Sequence, residues 1–184
     1  MNMLASRGQL RASFIRWALF LVPLCVLLGF LSGMLGSPDT SWFQGLVKPG
    51  IYPEPKWFGI VWTILYVMIG FALALVASAW GARGRTAALW VFAVHFALNL
   101  AWSYVFFGAQ QISGALALLV AIVLTLLVVI ALFWRVRRLA AVLLLPYLAW
   151  VCFATLLNYE FLRLNPDADG GSQGEAVERV RIGS

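Results

Sequence analysis

Charge is what this chain has least of: Asp and Glu number 7, Lys and Arg 13, and together they make up 11% of the 184 residues. An ordinary soluble domain is about a quarter charged, so a water-exposed globular fold is excluded. Histidine occurs once, at His95, with no second ligand type three or four residues away, which rules out a helical metal site. Cysteine occurs twice, at Cys25 and Cys152, each alone in an apolar run. That is too few for a disulfide framework or a metal cluster, and both are read as inert core thiols. The apolar segments hold no acid/base pair and no nucleophile beside a base, so no catalytic residue is assigned. The net charge of +6 comes from arginines that flank apolar stretches. They do not form a stripe among aromatics, so no nucleic-acid partner is implied.

What is present is apolar surface: 63% of residues are hydrophobic and the mean hydropathy is +0.92. A chain this short cannot bury that excess in itself, and lipid is the solvent that accepts it. Five segments reach the length of a span, at 16–36, 57–80, 86–107, 113–134 and 139–162. The expected fold is all-α: a membrane bundle of five transmembrane helices with a long loop between the first two. The first segment follows three arginines, but its apolar run is longer than a signal-peptide core and lacks an A-x-A site, so it is read as a retained helix. The domain reading is an N-terminal extension over 1–15, a five-helix domain over 16–164 and a disordered polar tail over 165–184. The loop, Ser37 to Lys56, carries Pro38, Pro49, Pro53 and Pro55, and a short helical turn capped near Asp39 or Thr40 is expected in it.

Five spans put Arg7, Arg11, Arg16, Arg83, Arg85, Arg135, Arg137 and Arg138 on one side. The other side has Lys48, Lys56 and Arg163 near the membrane, so the positive-inside rule predicts a cytoplasmic N-terminus.

The nine tryptophans sort by depth. Trp17, Trp80, Trp90 and Trp134 lie at helix ends on the arginine side, as an interfacial belt requires. Trp62, Trp102 and Trp150 lie inside their spans, and Trp42 and Trp57 stand at the loop side. A buried indole N–H seeks a partner, so the deep three are expected to face the interior. At 100° per residue, Phe58, Trp62, Tyr66 and Ile69 form one stripe, and His95, Asn99, Trp102 and Phe106 a second. Pro146, Trp150, Ala154 and Leu157 form a third, with Tyr147 and Asn158 at its edge. Polar groups within a span face the interior, a cavity or a partner. The stripes therefore describe a pocket for a large flat apolar ligand, although His95 alone suits a hydrogen bond within the bundle. The row Ala93, Ala97, Ala101 permits close helix approach, either internally or to a second copy, and Gly29 and Gly33 have GxxxG spacing.

Three ordered motifs are similar to the translocator protein / tryptophan-rich sensory protein (TspO/MBR) family, once called the peripheral benzodiazepine receptor. They are KPGIYPEPKWFGIVWTILYVMIG from Lys48, NLAWSYVFFG from Asn99 and PYLAWVCFATLLNYEFLRLN from Pro146, within a match from Trp42 to Asn165. The resemblance implies a five-helix bundle, often a homodimer, whose pocket beneath the first loop takes porphyrins, sterols and benzodiazepine-type ligands. Trp62, Asn99, Trp102, Trp150 and Ala154 fall at motif positions that the resemblance associates with the pocket. It implies protoporphyrin IX or haem as ligand, with no obligatory cofactor and with lipid around the bundle. The membrane would be the cell membrane in a bacterium and the mitochondrial outer membrane in a eukaryote. The family's cholesterol motif is met by Leu156, Tyr159 and Arg163, on the helix side opposite Trp150. Pro53-Glu54-Pro55 departs from the adjacent prolines of many relatives, which often carry another tryptophan earlier, and fewer loop aromatics would change how tightly a porphyrin is capped.

The leading expectation is a protein that binds or transports a tetrapyrrole or sterol-type molecule, with Asn99, Tyr66 and the indole N–H groups orienting it. Light-dependent porphyrin degradation with Trp62 and Trp150 as electron partners is a second reading. A regulatory protein using the alanine row is a third.

Overall fold

The computed structural model describes residues 7–171. They fold into α1 (Arg7–Met34), the short α2 (Ser41–Gly45), α3 (Pro55–Ala77), α4 (Arg85–Ser103), α5 (Ile112–Val136), α6 (Arg138–Leu143) and α7 (Leu145–Leu164), and no strand occurs among them. Five stretches are long and apolar enough to cross a bilayer: Gly8–Met34, Pro55–Ala77, Arg85–Gly108, Ile112–Val136 and Arg138–Leu164. The five expected spans are all present. The first helix starts earlier than expected, because nothing from Arg7 to Arg16 breaks it, so the described part of the N-terminal extension continues α1.

The packing is inside-out relative to a soluble bundle. Leu19 and Phe30 of α1 and Leu124 of α5 are exposed, where acyl chains replace a second protein layer. Inside, small residues bring backbones together. A Cβ on Gly70 of α3 would lie 2.6 Å from the Val22 Cα of α1, and one on Gly29 would lie 2.1 Å from the Tyr66 ring. Gly29 thus makes room for an aromatic side chain that Gly33, with nothing near it, does not. The fifth span is broken between α6 and α7, since Pro146 has no N–H and its ring crowds the carbonyl four residues back. α4 ends in a π-helical turn, Tyr104–Gly108, closed by Ala109 N–H donating to the Tyr104 carbonyl at 2.7 Å.

The long loop expected between the first two spans is not evident as one. Residues 35–54 are divided by α2, whose N-cap Thr40 accepts from Phe43 N–H at 3.3 Å. The chain beyond α7 also differs from a disordered tail as far as Gly171. Asn165 and Ala168 are buried, and Asp169 accepts from the N–H groups of Ile112 at 2.5 Å and Ser113 at 3.1 Å. The first N–H groups of a helix have no intrahelical partner and favour an anion, so Asp169 has a reason to dock at the start of α5. Residues 172–184 of the expected tail lie outside the described residues.

Ala93, Ala97 and Ala101 are exposed, so the row is no internal contact. Of the two cysteines only Cys25 is buried; Cys152 faces outward, because its position on α7 is turned away from the bundle. Trp80, Trp90 and Trp134 are exposed at helix ends, as a belt requires.

Candidate functional site

The half of the bundle beneath α2 encloses a cavity of about 790 Å³. All five spans border it, over Pro23–Met34 of α1, Pro55–Tyr66 of α3, Asn99–Phe107 of α4 and its π turn, Leu119–Ile122 of α5 and Trp150–Phe161 of α7. Its roof is Phe43, carried by α2, whose ring centroid lies 5.1 Å from Phe107, 5.8 Å from Phe161 and 6.2 Å from both Phe106 and Tyr52. The π turn inserts an extra residue per turn, and Trp102, Ser103, Phe106 and Phe107 all reach the cavity from it and the turn before it. Phe30, Met34 and Gly59 border the cavity and are exposed as well, so it extends to the lipid-facing surface between α1 and α3.

Among the described residues, no charged side chain borders this space. The polar groups that do are few, and their hydrogen bonds limit what they can offer. Tyr66 O–H donates to Asn99 Oδ1 at 3.1 Å, and the Asn99 side chain also meets the Tyr147 hydroxyl, which leaves one amide N–H for a ligand. The Thr63 hydroxyl donates to the Gly59 carbonyl at 2.7 Å and offers only lone pairs. Trp102 Nε1, Trp150 Nε1 and Asn158 Oδ1 are buried without a hydrogen-bond partner among the described residues. Protein atoms cover them, so the two indoles turn ring surface toward the cavity and not the orienting N–H that the sequence suggested. Asn158 instead donates its Nδ2 hydrogen to the Ile112 carbonyl at 2.9 Å.

Eight of the twelve pocket residues expected from the sequence border the cavity: Trp62, Tyr66, Asn99, Trp102, Phe106, Trp150, Ala154 and Asn158. Four do not. His95 is fully buried below it, with Nδ1 2.9 Å from Thr125 Oγ1 and Nε2 3.0 Å from Tyr147 O–H. The Thr125 hydroxyl donates to the Ala121 carbonyl at 2.8 Å. It must therefore accept from His95 Nδ1–H, and Tyr147 must donate to Nε2. Both side chains are spent on each other, and Tyr147 reaches the cavity only by supporting Trp62, with ring centroids 6.2 Å apart. Trp57 is 48% exposed on the outer surface, one residue along from the inward Phe58. Trp42 packs behind the roof on Phe106 at 5.9 Å, and its Nε1 donates to the Ala168 carbonyl at 2.9 Å. Leu156 and Tyr159 of the cholesterol motif are exposed on the outer surface, and Arg163 is paired with Glu160 at 2.7 Å.

Sequence reasoning missed the α1 wall, because that helix is apolar all round and shows no stripe. It also missed what holds the roof. Asn165 accepts from Val47 N–H at 2.8 Å and donates to the Val47 carbonyl at 3.1 Å, and Gly170 N–H donates to the carbonyl of Gln110, which has φ of 56°. Together with Trp42 and Asp169, these bonds strap the roof to the α4–α5 turn. Lys48 adds a bond to the Phe43 carbonyl and one to that of Leu46 at 3.1 Å, and burial holds its ammonium below the usual lysine pKa. Asn165→Ala should raise hydrogen exchange at the Val47 amide by about fivefold or more, since the lost bonds contribute on the order of 1 kcal/mol each. Unchanged exchange there would show that the strap does not hold the roof.

Residues 21–164 match the TspO/MBR family. The chain belongs to that family. Among its relatives, the tryptophan-rich protein TspO of Chlorobaculum tepidum is 39% identical over 147 residues, covering 79% of this chain and 93% of the relative. The translocator protein of Homo sapiens is 39% identical over 143 residues, covering 76% and 84%. The tryptophan-rich sensory protein of Cereibacter sphaeroides is 37% identical over 151 residues, covering 81% and 92%. Five spans and TspO/MBR membership make this a multi-pass membrane protein. They also support ligand binding by its bundle in general terms. Within the TspO/MBR match lie all the cavity-lining segments and Phe43, whereas Asn165 and the strap beyond it fall just outside.

Proposed function

We propose that this protein binds a large flat apolar ligand of the tetrapyrrole class, with protoporphyrin IX as its prototype, and carries or senses it within the membrane. The observation that carries this reading is a cavity of about 790 Å³ that no charged side chain among the described residues borders and that Phe43, Phe58, Trp62, Tyr66, Trp102 and Trp150 help to line. Its volume falls in the range of about 300–1,000 Å³ typical of small-molecule sites. Trp62 stacks on Tyr66 with centroids 5.3 Å apart, and Trp102 stacks on Phe106 at the same distance. Such paired rings offer broad apolar planes to a macrocycle, and affinity comes from the area buried. Asn99 supplies a directional donor. Any carboxylate on the ligand lies outside, because nothing in the wall neutralises it.

The relatives' names, translocator and sensory protein, favour binding and movement over catalysis. By the positive-inside rule the arginine-bearing end lies in the cytoplasm and the roof on the other side. The outward row Ala93, Ala97, Ala101 suits a second copy of the chain.

Titration of the purified protein with protoporphyrin IX, haem and cholesterol, followed by tryptophan fluorescence, tests this. Saturable quenching by protoporphyrin is expected. Quenching that stays linear with concentration would overturn the reading, and a new bilin-like absorption confined to illuminated samples would replace binding by a photochemical reaction.

A further inference from the structure

Among the described residues, the arginine-bearing end of the bundle has no acidic partner of its own. Among the described residues the carboxylates are Asp39, Glu54, Glu160, Asp167 and Asp169, and all belong to the roof end. The opposite end carries Arg11, Arg16, Arg83, Arg85, Arg135, Arg137 and Arg138. Its counter-charge therefore comes from outside the described chain.

One place at that end is shaped to receive it. Ser13, Arg16, Trp17 and Phe20 of α1, with Trp80 from the α3–α4 turn, border a groove of about 350 Å³. Ser13, Arg16 and Phe20 follow one another at three and four residues and share a helix face. Trp80 is held rigidly as the facing wall. Its ring lies 6.4 Å from that of Trp17, and the Arg85 guanidinium sits 4.1 Å from the Trp80 ring centroid. Arg85 is fixed in turn by donating Nε and Nη2 hydrogens to the Ala77 carbonyl at 3.0 and 2.7 Å. Arg16 is exposed at the rim, and Phe20 is exposed one turn deeper, toward the bilayer interior. The groove thus sets a cation and a hydroxyl at headgroup level, indoles beside them and an apolar ring beneath. None of its five residues borders the ligand cavity, and four of them precede residue 21, where the family match begins.

We propose that this groove holds an anionic phospholipid, its phosphate against Arg16 and Ser13 and an acyl chain over Phe20. Basic recesses between spans at the cytoplasmic face suit anionic headgroups. A zwitterionic lipid brings a cation of its own to an end already in surplus, and free phosphate brings no chain for Phe20.

The test is native mass spectrometry of the full chain released from nanodiscs of equal parts phosphatidylglycerol and phosphatidylcholine. The wild-type chain should retain phosphatidylglycerol in preference. Arg16→Gln should lower that retention about fivefold, the worth of one cation beside an anionic lipid. Phe20→Ala, which changes no charge and so tests the groove even if Arg16→Gln folds poorly, should lower it as well. Arg137→Gln, at the same end but outside the groove, should not. Equal retention of the two lipids, or equal losses in Arg16→Gln and Arg137→Gln, would overturn the proposal in favour of a diffuse charge effect.

Discussion

Trp150→Ala is expected to weaken protoporphyrin IX binding about tenfold to a hundredfold while leaving the bundle folded. The magnitude follows from losing one buried aromatic face, about 1.5–3 kcal/mol, at 1.4 kcal/mol per factor of ten. Trp150 borders the cavity and touches Phe58 at 5.9 Å and Phe153 at 5.3 Å. Truncation would enlarge a space that already exists, and it would not open a void in close-packed interior, so the fold is spared. Because its N–H is covered by protein, Trp150→Phe should recover most of the affinity. If the phenylalanine variant binds as poorly as the alanine one, ring surface is not what the site uses. Fluorescence titration of the three proteins separates the outcomes.

His95→Leu should do the reverse, lowering stability by about 1–3 kcal/mol, the cost of a buried polar group left unpaired, with affinity near that of the wild type. The substitution roughly conserves volume but leaves the Tyr147 hydroxyl, buried to 1% exposure, without its acceptor. Thermal unfolding in detergent reads the first effect and the same titration the second. A stable variant that had lost its ligand would return His95 to the site.

The contrast between these residues shows how far the sequence could be read. Trp150, Asn99 and Trp62 were legible because a polar or amphipathic side chain deep in a span must face inward, and helical periodicity then names the neighbours that share its face. The same rule also selected His95 and Tyr147, since periodicity reports the direction a residue faces and not its height along the helix. His95 lies one turn below Asn99, where the hollow has closed and Thr125 and Tyr147 meet it instead. Residue type points to Trp57, but Phe58 beside it has the inward position.

The lipid solvent, the number of spans, the surplus of arginine at one end and the aromatic stripes of three helices were settled by the amino-acid sequence alone, because composition and a period of 3.6 residues are local properties. Tertiary structure decided the rest: Phe43 as the roof, α1 and α5 as walls, and residues Asn165 to Gly170 as the strap across Val47 and Gln110. Those assignments depend on contacts between residues about 60 to more than 100 positions apart. Nothing within one helical turn encodes such a contact, since it exists only once the spans have docked and brought the segments together.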